Sequence, residues 1–244
     1  MRRVLKDNPL PLYYQLKEIL MELIENEILK PGDLIPSERE LSELHGMSRM
    51  TARKAIMDLV IEGVLYREQG KGTFVSKPKI KQQLSQLKGF TEQMKEKGLK
   101  TETKILSFLI KRATMKICEY LNLPKEDRMI FEIRRIRYVE DEPFSIETVW
   151  LPFNMCSDLS KESLEGDSLY RLFKEKYGYN LDYARQSIEP TSLNEYESSL
   201  LKLEPKTLAL LFRRMTFLDD GRVIEYTKAI YRSDKYKYEV ILKS

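Results

Sequence analysis

Residues 36–75, PSERELSELHGMSRMTARKAIMDLVIEGVLYREQGKGTFV, leave the chain few ways to fold. Ser37 and Glu40 have the S-x-x-E spacing of a capping box, which predicts a helix start there. Leu41 and Leu44 are its expected buried points. Gly46 is its expected end, because glycine takes the left-handed conformation a helix C-terminus needs. After only Gly46 and Met47, Ser48 can cap a second helix. Its apolar positions Ala52, Ala55, Ile56, Leu59 and Val60 recur at helical spacing, and Gly63 closes it. The opposite face of its first turns carries Ser48, Arg49, Thr51, Arg53 and Lys54. Hydroxyls and guanidinium groups on a helix set at an angle by a short turn are what enters a DNA major groove. A solvated amphipathic helix pair is the alternative reading. Residues 64–67 and 73–75 then alternate like strands around Gly70-Lys71-Gly72. Glycines let such a turn approach a phosphate, and Lys71 supplies charge. Helix, turn, helix and basic-tipped hairpin together read as a winged helix.

Upstream, Pro9 and Pro11 suit the start of a first helix. Leu12, Leu16, Ile19, Leu20, Leu23 and Ile24 give it one apolar stripe on which the reading helix can pack. Arg39, early on the second helix, is a further candidate DNA contact, and His45, the only histidine, is expected to be structural or exposed. The net charge of +4 says little by itself. Its distribution says more: Glu18, Glu22, Glu25 and Glu27 are expected on the first helix, while Arg49, Arg53, Lys54, Lys71 and Lys77 lie on the reading helix, hairpin and exit.

The sequence has no apolar run long enough to span a membrane, and Met1-Arg2-Arg3 is not followed by a secretory apolar stretch; no membrane partner is expected, and cytoplasmic placement is. Cys118 and Cys156 lack metal-ligand spacing and read as core thiols in a reducing compartment, with no cofactor or metal expected.

Residues 76–86 are polar and basic, as in a linker. The expected organisation is 1–77 for the winged helix, 78–90 for linker and entrance, and 91–244 for a second domain. Leu84, Leu87, Phe90 and Met94 recur at helical spacing, and Gly98 ends that segment. Strands are predicted at 104–112, 129–139, 145–151, 181–189, 208–218, 223–231 and 237–242, and helices at 114–121, 168–177 and 194–201. Glu140-Asp141-Glu142-Pro143 and Asp219-Asp220-Gly221-Arg222 are tight connections between antiparallel neighbours. The fold class is α+β with an antiparallel sheet. No internal repeat is legible.

Alternation places Arg135 and Arg137 on one strand face with Phe131, Ile133 and Val139. Two guanidinium groups among apolar neighbours call for an anion, either a bound phosphate or carboxylate or an internal salt bridge. On the next strand Glu147 shares a face with Ser145, Val149 and Leu151, and can pair with either arginine or accept from ligand hydroxyls. Ser168 and Tyr170 open a helix whose N–H groups suit an anion; simple capping by Asp167 or Ser168 is the other reading. Glu225 and Tyr231 share a late strand face, and Phe90 and Thr91 stand at the domain entrance.

The P-S-E-R-E-L, S-R-x-T-x-R-x-A and L-x-x-E-G-x-L-Y-R-x-x-G-x-G-T-F-V elements together closely resemble the N-terminal domain of GntR-family bacterial transcription regulators. Later parts resemble the HutC branch, and within it most of all the regulators of N-acetylglucosamine use. The resemblance implies a second domain of the UTRA type, whose fold is similar to chorismate lyase. It implies DNA contacts at Arg39, Ser48, Arg49, Thr51, Arg53, Gly70, Lys71 and Gly72. Lys71 stands where close relatives often have arginine, so the wing keeps its charge without a bidentate fork. It implies effector contacts at Phe90, Thr91, Arg135, Arg137, Glu147, Ser168, Tyr170, Glu225 and Tyr231, with the arginines, Ser168 and Tyr170 taking a phosphate.

The expected function is therefore a DNA-binding regulator, a repressor in the family's usual logic. A homodimer would bind a near-palindromic double-stranded operator, released by a small phosphorylated sugar such as an amino-sugar 6-phosphate. The alternatives are another anionic effector (a different sugar phosphate, a phosphonate or a carboxylate) and a lyase-like enzyme. Against the enzyme, no nucleophile–base pair or metal cluster is visible.

Overall fold

The computed structural model describes residues 2–83, 87–124, 126–166 and 168–241. They fall into two compact units, Met1–Lys81 with Ser233–Lys237, and Gln82–Arg232 with Tyr238–Ser244.

The first unit contains helices α1 (Leu12–Glu25), α2 (Glu38–His45) and α3 (Arg49–Ile61) and the hairpin β1 (Leu65–Glu68)–β2 (Gly72–Val75). The Ser37/Glu40 capping box is present, Gly46 is left-handed with φ 61°, and Ser48 caps α3. Leu16, Ile19 and Leu20 of α1 pack with Ala52, Ala55, Ile56 and Leu59 of α3, as their spacing requires. On α2 the buried pair is Leu41 and His45, and Leu44 is 38% exposed. An i, i+4 stripe rather than i, i+3 therefore faces the core. His45 Nδ1 accepts from the Val4 N–H at 3.4 Å, and burial and then the Arg3 charge lower its pKa, which makes it a neutral structural group. Glu27 lies beyond the end of α1, at φ 56°. Gly72 belongs to β2 and pairs with Glu68, so the hairpin tip is Gln69-Gly70-Lys71. At φ 135°, a conformation L side chains rarely adopt, any other residue at position 72 would strain the backbone.

Residues 80–83 are not plain linker. β3 (Ile80–Gln83) pairs with β10 (Tyr236–Glu239), and the Ile80 N–H donates to Lys235 O at 2.8 Å. The pairing uses backbone groups between polar residues, which hydrophobic periodicity does not register. The strand expected at 237–242 is accordingly shorter; Leu84, Asp167 and Leu242 lie outside the described residues.

The second unit is one antiparallel sheet in the order β4-β5-β6-β9-β8-β7. Its strands are β4 (Thr101–Arg112), β5 (Met129–Val139), β6 (Glu142–Pro152), β7 (Leu181–Ser192), β8 (Leu208–Leu218) and β9 (Val223–Arg232). The expected hairpins β5–β6 and β8–β9 are both formed. Helices are α4 (Phe90–Glu96), α5 (Met115–Leu121), α6 (Lys161–Gly166), α7 (Leu169–Glu175) and α8 (Glu195–Leu201). Gly89 is the N-cap of α4, which leaves Leu87 outside the helix its spacing suggested. The short α6 and a 3-10 turn at Phe153–Met155 were not expected from sequence.

The sheet is duplicated. Strand, helix, strand, strand occurs twice, with 12-residue first strands, seven-residue helices and 11-residue second strands in both halves. Both helices carry a side-chain N-cap, Thr114 or Asn194, and both end in a left-handed non-glycine residue, Asn122 or Lys202. The halves meet at β6–β9. Arg134-Arg135 and Arg213-Arg214 occupy the same places in β5 and β8. The repeat is illegible in sequence because topology and caps are shared while most side chains are not. One sheet face packs under α6 and α7, through Phe131, Ile133, Val149, Leu151, Leu164 and Phe173. The other is covered by α5 and α8.

Candidate functional site

The first unit offers an exposed cationic surface. Arg39, Ser48, Arg49, Arg53, Lys54, Gly70, Lys71 and Gly72 are exposed, and Thr51 is half-buried. Ser48 Oγ accepts from the Thr51 N–H at 3.1 Å and lies 2.8 Å from Thr51 Oγ1, so the two hydroxyls order each other at the start of α3. Arg49 and Arg53 have no ion-pair partner among the described residues. Lys54, Lys71 and Arg39 are tethered. Lys54 Nζ sits 3.8 Å from the Tyr13 ring centroid, which ties its charge to α1. Lys71 Nζ pairs with Glu68 at 2.9 Å, and Arg39 Nε approaches Glu43 at 3.9 Å. Arg67, which sequence reasoning passed over, pairs with Glu38 at 2.6 Å and fixes the hairpin to α2. On the exposed start of α3 the open positive charge is therefore that of Arg49 and Arg53, beside a Gly-rich tip, a surface that can take a polyanion's phosphates and present side chains to base edges.

The second unit holds its charges inside. Arg135, Arg137 and Glu147 are 5%, 4% and 3% exposed. They meet because β5 and β6 pair Arg135 with Glu147 and Arg137 with Ser145. Arg135 Nε donates to Glu147 Oε2 at 2.7 Å and Arg137 Nε to the same oxygen at 3.2 Å. Tyr231 OH donates to Glu147 Oε1 at 3.2 Å. Arg137 Nη1 also donates to Thr103 Oγ1 at 2.5 Å, and its Cζ lies 5.2 Å from the Phe90 ring centroid. Burial alone would raise the Glu147 carboxyl, but the Arg135 and Arg137 charges more than reverse it and hold the pKa at about 2. Burial and then Arg135 lower Arg137, from an ordinary value so high that it stays charged. Burial, reinforced by Glu147, pushes Tyr231 well above its ordinary value. One carboxylate thus faces two guanidinium groups. Arg135 uses only its Nε on the protein, so its terminal nitrogens have no protein acceptor among the described residues. This is a buried surplus of positive charge with forked donors left over, the arrangement that takes a phosphate or carboxylate.

A second cluster adjoins it in the other half of the sheet. Tyr170 OH donates to Glu225 Oε2 at 2.9 Å and lies 3.0 Å from Thr216 Oγ1. Arg214 Nε donates to Gln186 Oε1 at 2.7 Å, and its Nη1 lies 3.4 Å from Tyr170 OH. Burial and then Glu225 push Tyr170 up to about 12. Burial would lower Arg214, but Tyr170 and Glu225 raise it. The sequence-derived set therefore divides. Phe90, Arg135, Arg137, Glu147 and Tyr231 form one cluster, and Tyr170 and Glu225 form the next. Ser168 caps α7 with no side-chain capping bond, and its Oγ lies 3.3 Å from where a Cβ on Gly89 would stand. Thr91 is half-buried in α4 and makes none of the cluster's hydrogen bonds. Sequence reasoning missed Arg214, Thr216 and Thr103. The Arg-Arg pair common to β5 and β8 was the signal for Arg214.

Residues 12–75 match the model of the bacterial regulatory proteins of the gntR family, and residues 96–237 match the UTRA domain. The chain belongs to the GntR family and carries a UTRA domain. The HTH-type transcriptional repressor NagR of Bacillus subtilis is 36% identical over 233 residues, 96% of this chain and 95% of that protein. The mannosyl-D-glycerate transport/metabolism system repressor MngR of Escherichia coli is 31% identical over 95% of both chains. The crystal structure of PhnF from Mycobacterium smegmatis superposes with a TM-score of 0.64 over 95% of this chain and 99% of that one, at 23% identity, a likeness of fold. As a GntR-family member the chain is a DNA-binding transcription regulator; the winged helix is its DNA-binding part and the duplicated sheet its UTRA domain. No helix among the described residues is long and apolar enough to cross a membrane.

Proposed function

We propose that this GntR regulator is a cytoplasmic repressor of the HutC type. A homodimer binds a near-palindromic operator through residues 1–77, with 78–90 as the connection and 91–244 as the effector and dimerisation domain. Arg39, Ser48, Arg49, Thr51, Arg53, Lys54, Gly70, Lys71 and Gly72 make the DNA surface. The effector is a phosphorylated sugar, an amino-sugar 6-phosphate such as glucosamine 6-phosphate or N-acetylglucosamine 6-phosphate. Phe90, Thr91, Arg135, Arg137, Glu147, Ser168, Tyr170, Glu225 and Tyr231 form its site.

The observation that carries this reading is the buried pair Arg135 and Arg137 sharing one carboxylate. An internal salt bridge needs only one cation per carboxylate; the second guanidinium and the spare forks of the first suit an incoming anion. Hydroxyl and carboxylate groups beside them, from Tyr231, Tyr170, Thr216 and Glu225, suit sugar hydroxyls. Effector binding favours a dimer state whose heads are badly spaced for the operator; a hundredfold affinity ratio between states corresponds to roughly 3 kcal/mol of coupling.

Thermal unfolding against a panel of sugar phosphates, free sugars, inorganic phosphate and dicarboxylates tests the reading. At about 100 times its dissociation constant an effector adds roughly 2.7 kcal/mol to the folded state, a clear rise in melting temperature. A rise with glucosamine 6-phosphate or N-acetylglucosamine 6-phosphate, absent with the free sugars, is the expected result. A second reading keeps the regulator and replaces the sugar phosphate with another anion. The same arginines accept a carboxylate, and the name of the MngR relative points to a glycerate-bearing sugar for that protein. A rise with a dicarboxylate and none with any sugar phosphate would establish that reading instead.

A further inference from the structure

On the buried face that carries Glu147, one hydroxyl is left unused by its neighbours among the described residues. Ser145 is 0% exposed, and its Oγ has no hydrogen-bond partner among the described residues. In the ladder it stands between Arg137 of β5 and Tyr231 of β9, one residue from each along the hydrogen-bonding direction. By alternation its side chain is on the Glu147 face, with Arg137 and Tyr231. Those neighbours are engaged elsewhere. Arg137 gives Nε to Glu147 and Nη1 to Thr103, and Tyr231 gives its hydroxyl proton to Glu147. A buried hydroxyl without a partner is costly, and alanine would fill the same place without that cost. An unpaired hydroxyl in the middle of a candidate ligand face is a group kept for something that arrives.

We propose that Ser145 is a specificity-determining residue of the effector site, hydrogen-bonding a hydroxyl of the sugar next to the anion held by Arg135 and Arg137. The inference rests on the anionic-effector reading above. The chemistry favours a hydroxyl over the anion itself. A phosphate only accepts hydrogen bonds, and the spare guanidinium donors already meet that need. A serine hydroxyl donates once and accepts twice, and a sugar hydroxyl is the group that can answer both roles. Ser145 acts by contact with the ligand and takes no part in binding DNA.

The test compares full-length protein with its Ser145→Ala variant. Affinities for glucosamine 6-phosphate and inorganic phosphate are measured by calorimetry or ligand-dependent melting, alongside operator binding in gel shifts. The expected result is a roughly tenfold loss of affinity for the sugar phosphate, the value of one neutral hydrogen bond. Inorganic phosphate and operator binding should be unchanged, and the unliganded melting temperature the same or higher. The unliganded melting curve separates a ligand effect from a folding defect. A variant that binds glucosamine 6-phosphate as tightly as the parent overturns the inference and leaves the effector reading standing. An equal loss for inorganic phosphate assigns the contact to the anion and also overturns it. If the parent binds neither glucosamine 6-phosphate nor N-acetylglucosamine 6-phosphate, the amino-sugar phosphate reading fails, and this inference with it.

Discussion

The chain uses arginine in two opposite ways. Arg49 and Arg53 on α3 are exposed and have no ion-pair partner among the described residues. Arg135 and Arg137 on β5 are almost wholly buried and share the carboxylate of Glu147. An exposed guanidinium is screened by salt, costs little to expose and suits a long polyanion that approaches from solvent. A buried one is stable only with a partner, and its low-dielectric surroundings make it selective for a small anion of the right shape. The same side chain is thus open to solvent in the head and held by a carboxylate in the sheet, and the difference lies in the neighbours each fold supplies.

Four experiments act on that contrast. The largest effect should come from Glu147→Ala, which strands two buried guanidinium groups. A destabilisation of about 3–5 kcal/mol is expected, read in urea by the fluorescence of Trp150, the single tryptophan and a residue of β6. A loss under about 1 kcal/mol would mean that the arginines do not depend on the carboxylate.

Acid should act on the same group. Glu147 titrates at about 2 in the fold and near its ordinary value of 4.5 when unfolded. Its contribution is fully present above the unfolded value and is lost as pH falls through the folded one. Stability of the sheet should therefore drop by a few kcal/mol between about pH 4.5 and pH 2, and Glu147→Gln should flatten that slope. A parent and variant with identical acid profiles would place the titration elsewhere.

In the head the expected effect is on affinity and not on folding. Arg49→Ala or Arg53→Ala should each weaken operator binding by roughly tenfold, and each lost phosphate contact should lower the salt slope by about 1, with the melting temperature little changed. An unaltered salt dependence would remove that arginine from the phosphate contacts. The smallest effect should be that of Ser48→Ala, which deletes the α3 cap for about 1 kcal/mol of head stability. A neutral Ser48→Ala melting curve would show the cap to be dispensable.

Legibility in the sequence followed the same division. The head was readable because its signals are local. A capping box, a left-handed Gly46 and a second cap at Ser48 are each specified within four residues, and all are present. The errors there concern which side of a turn faces in, as with Leu44 and His45, where tertiary packing decides. In the sheet, period-two alternation placed Arg135, Arg137 and Glu147 on their face, and the strand ends at Met129, Val139, Leu208 and Leu218 were found. The division of the site into two clusters was not readable, because it depends on strand order. That order brings β9 between β6 and β8, and with it Tyr231 beside Glu147 and Glu225 beside Tyr170. The β3–β10 ladder joins residues far apart in sequence through backbone groups alone, which leaves no mark on side-chain pattern.

The central claim is that the two sets of arginines do separate work, and one gel-shift series tests it most directly. Operator DNA is titrated with the parent, Arg135→Ala and Arg137→Ala proteins, with and without glucosamine 6-phosphate at saturating concentration for the parent. Both variants are expected to bind operator as the parent does, while the sugar phosphate releases only the parent. Normal release of both variants would contradict it, and would move the effector site off the buried face of the sheet.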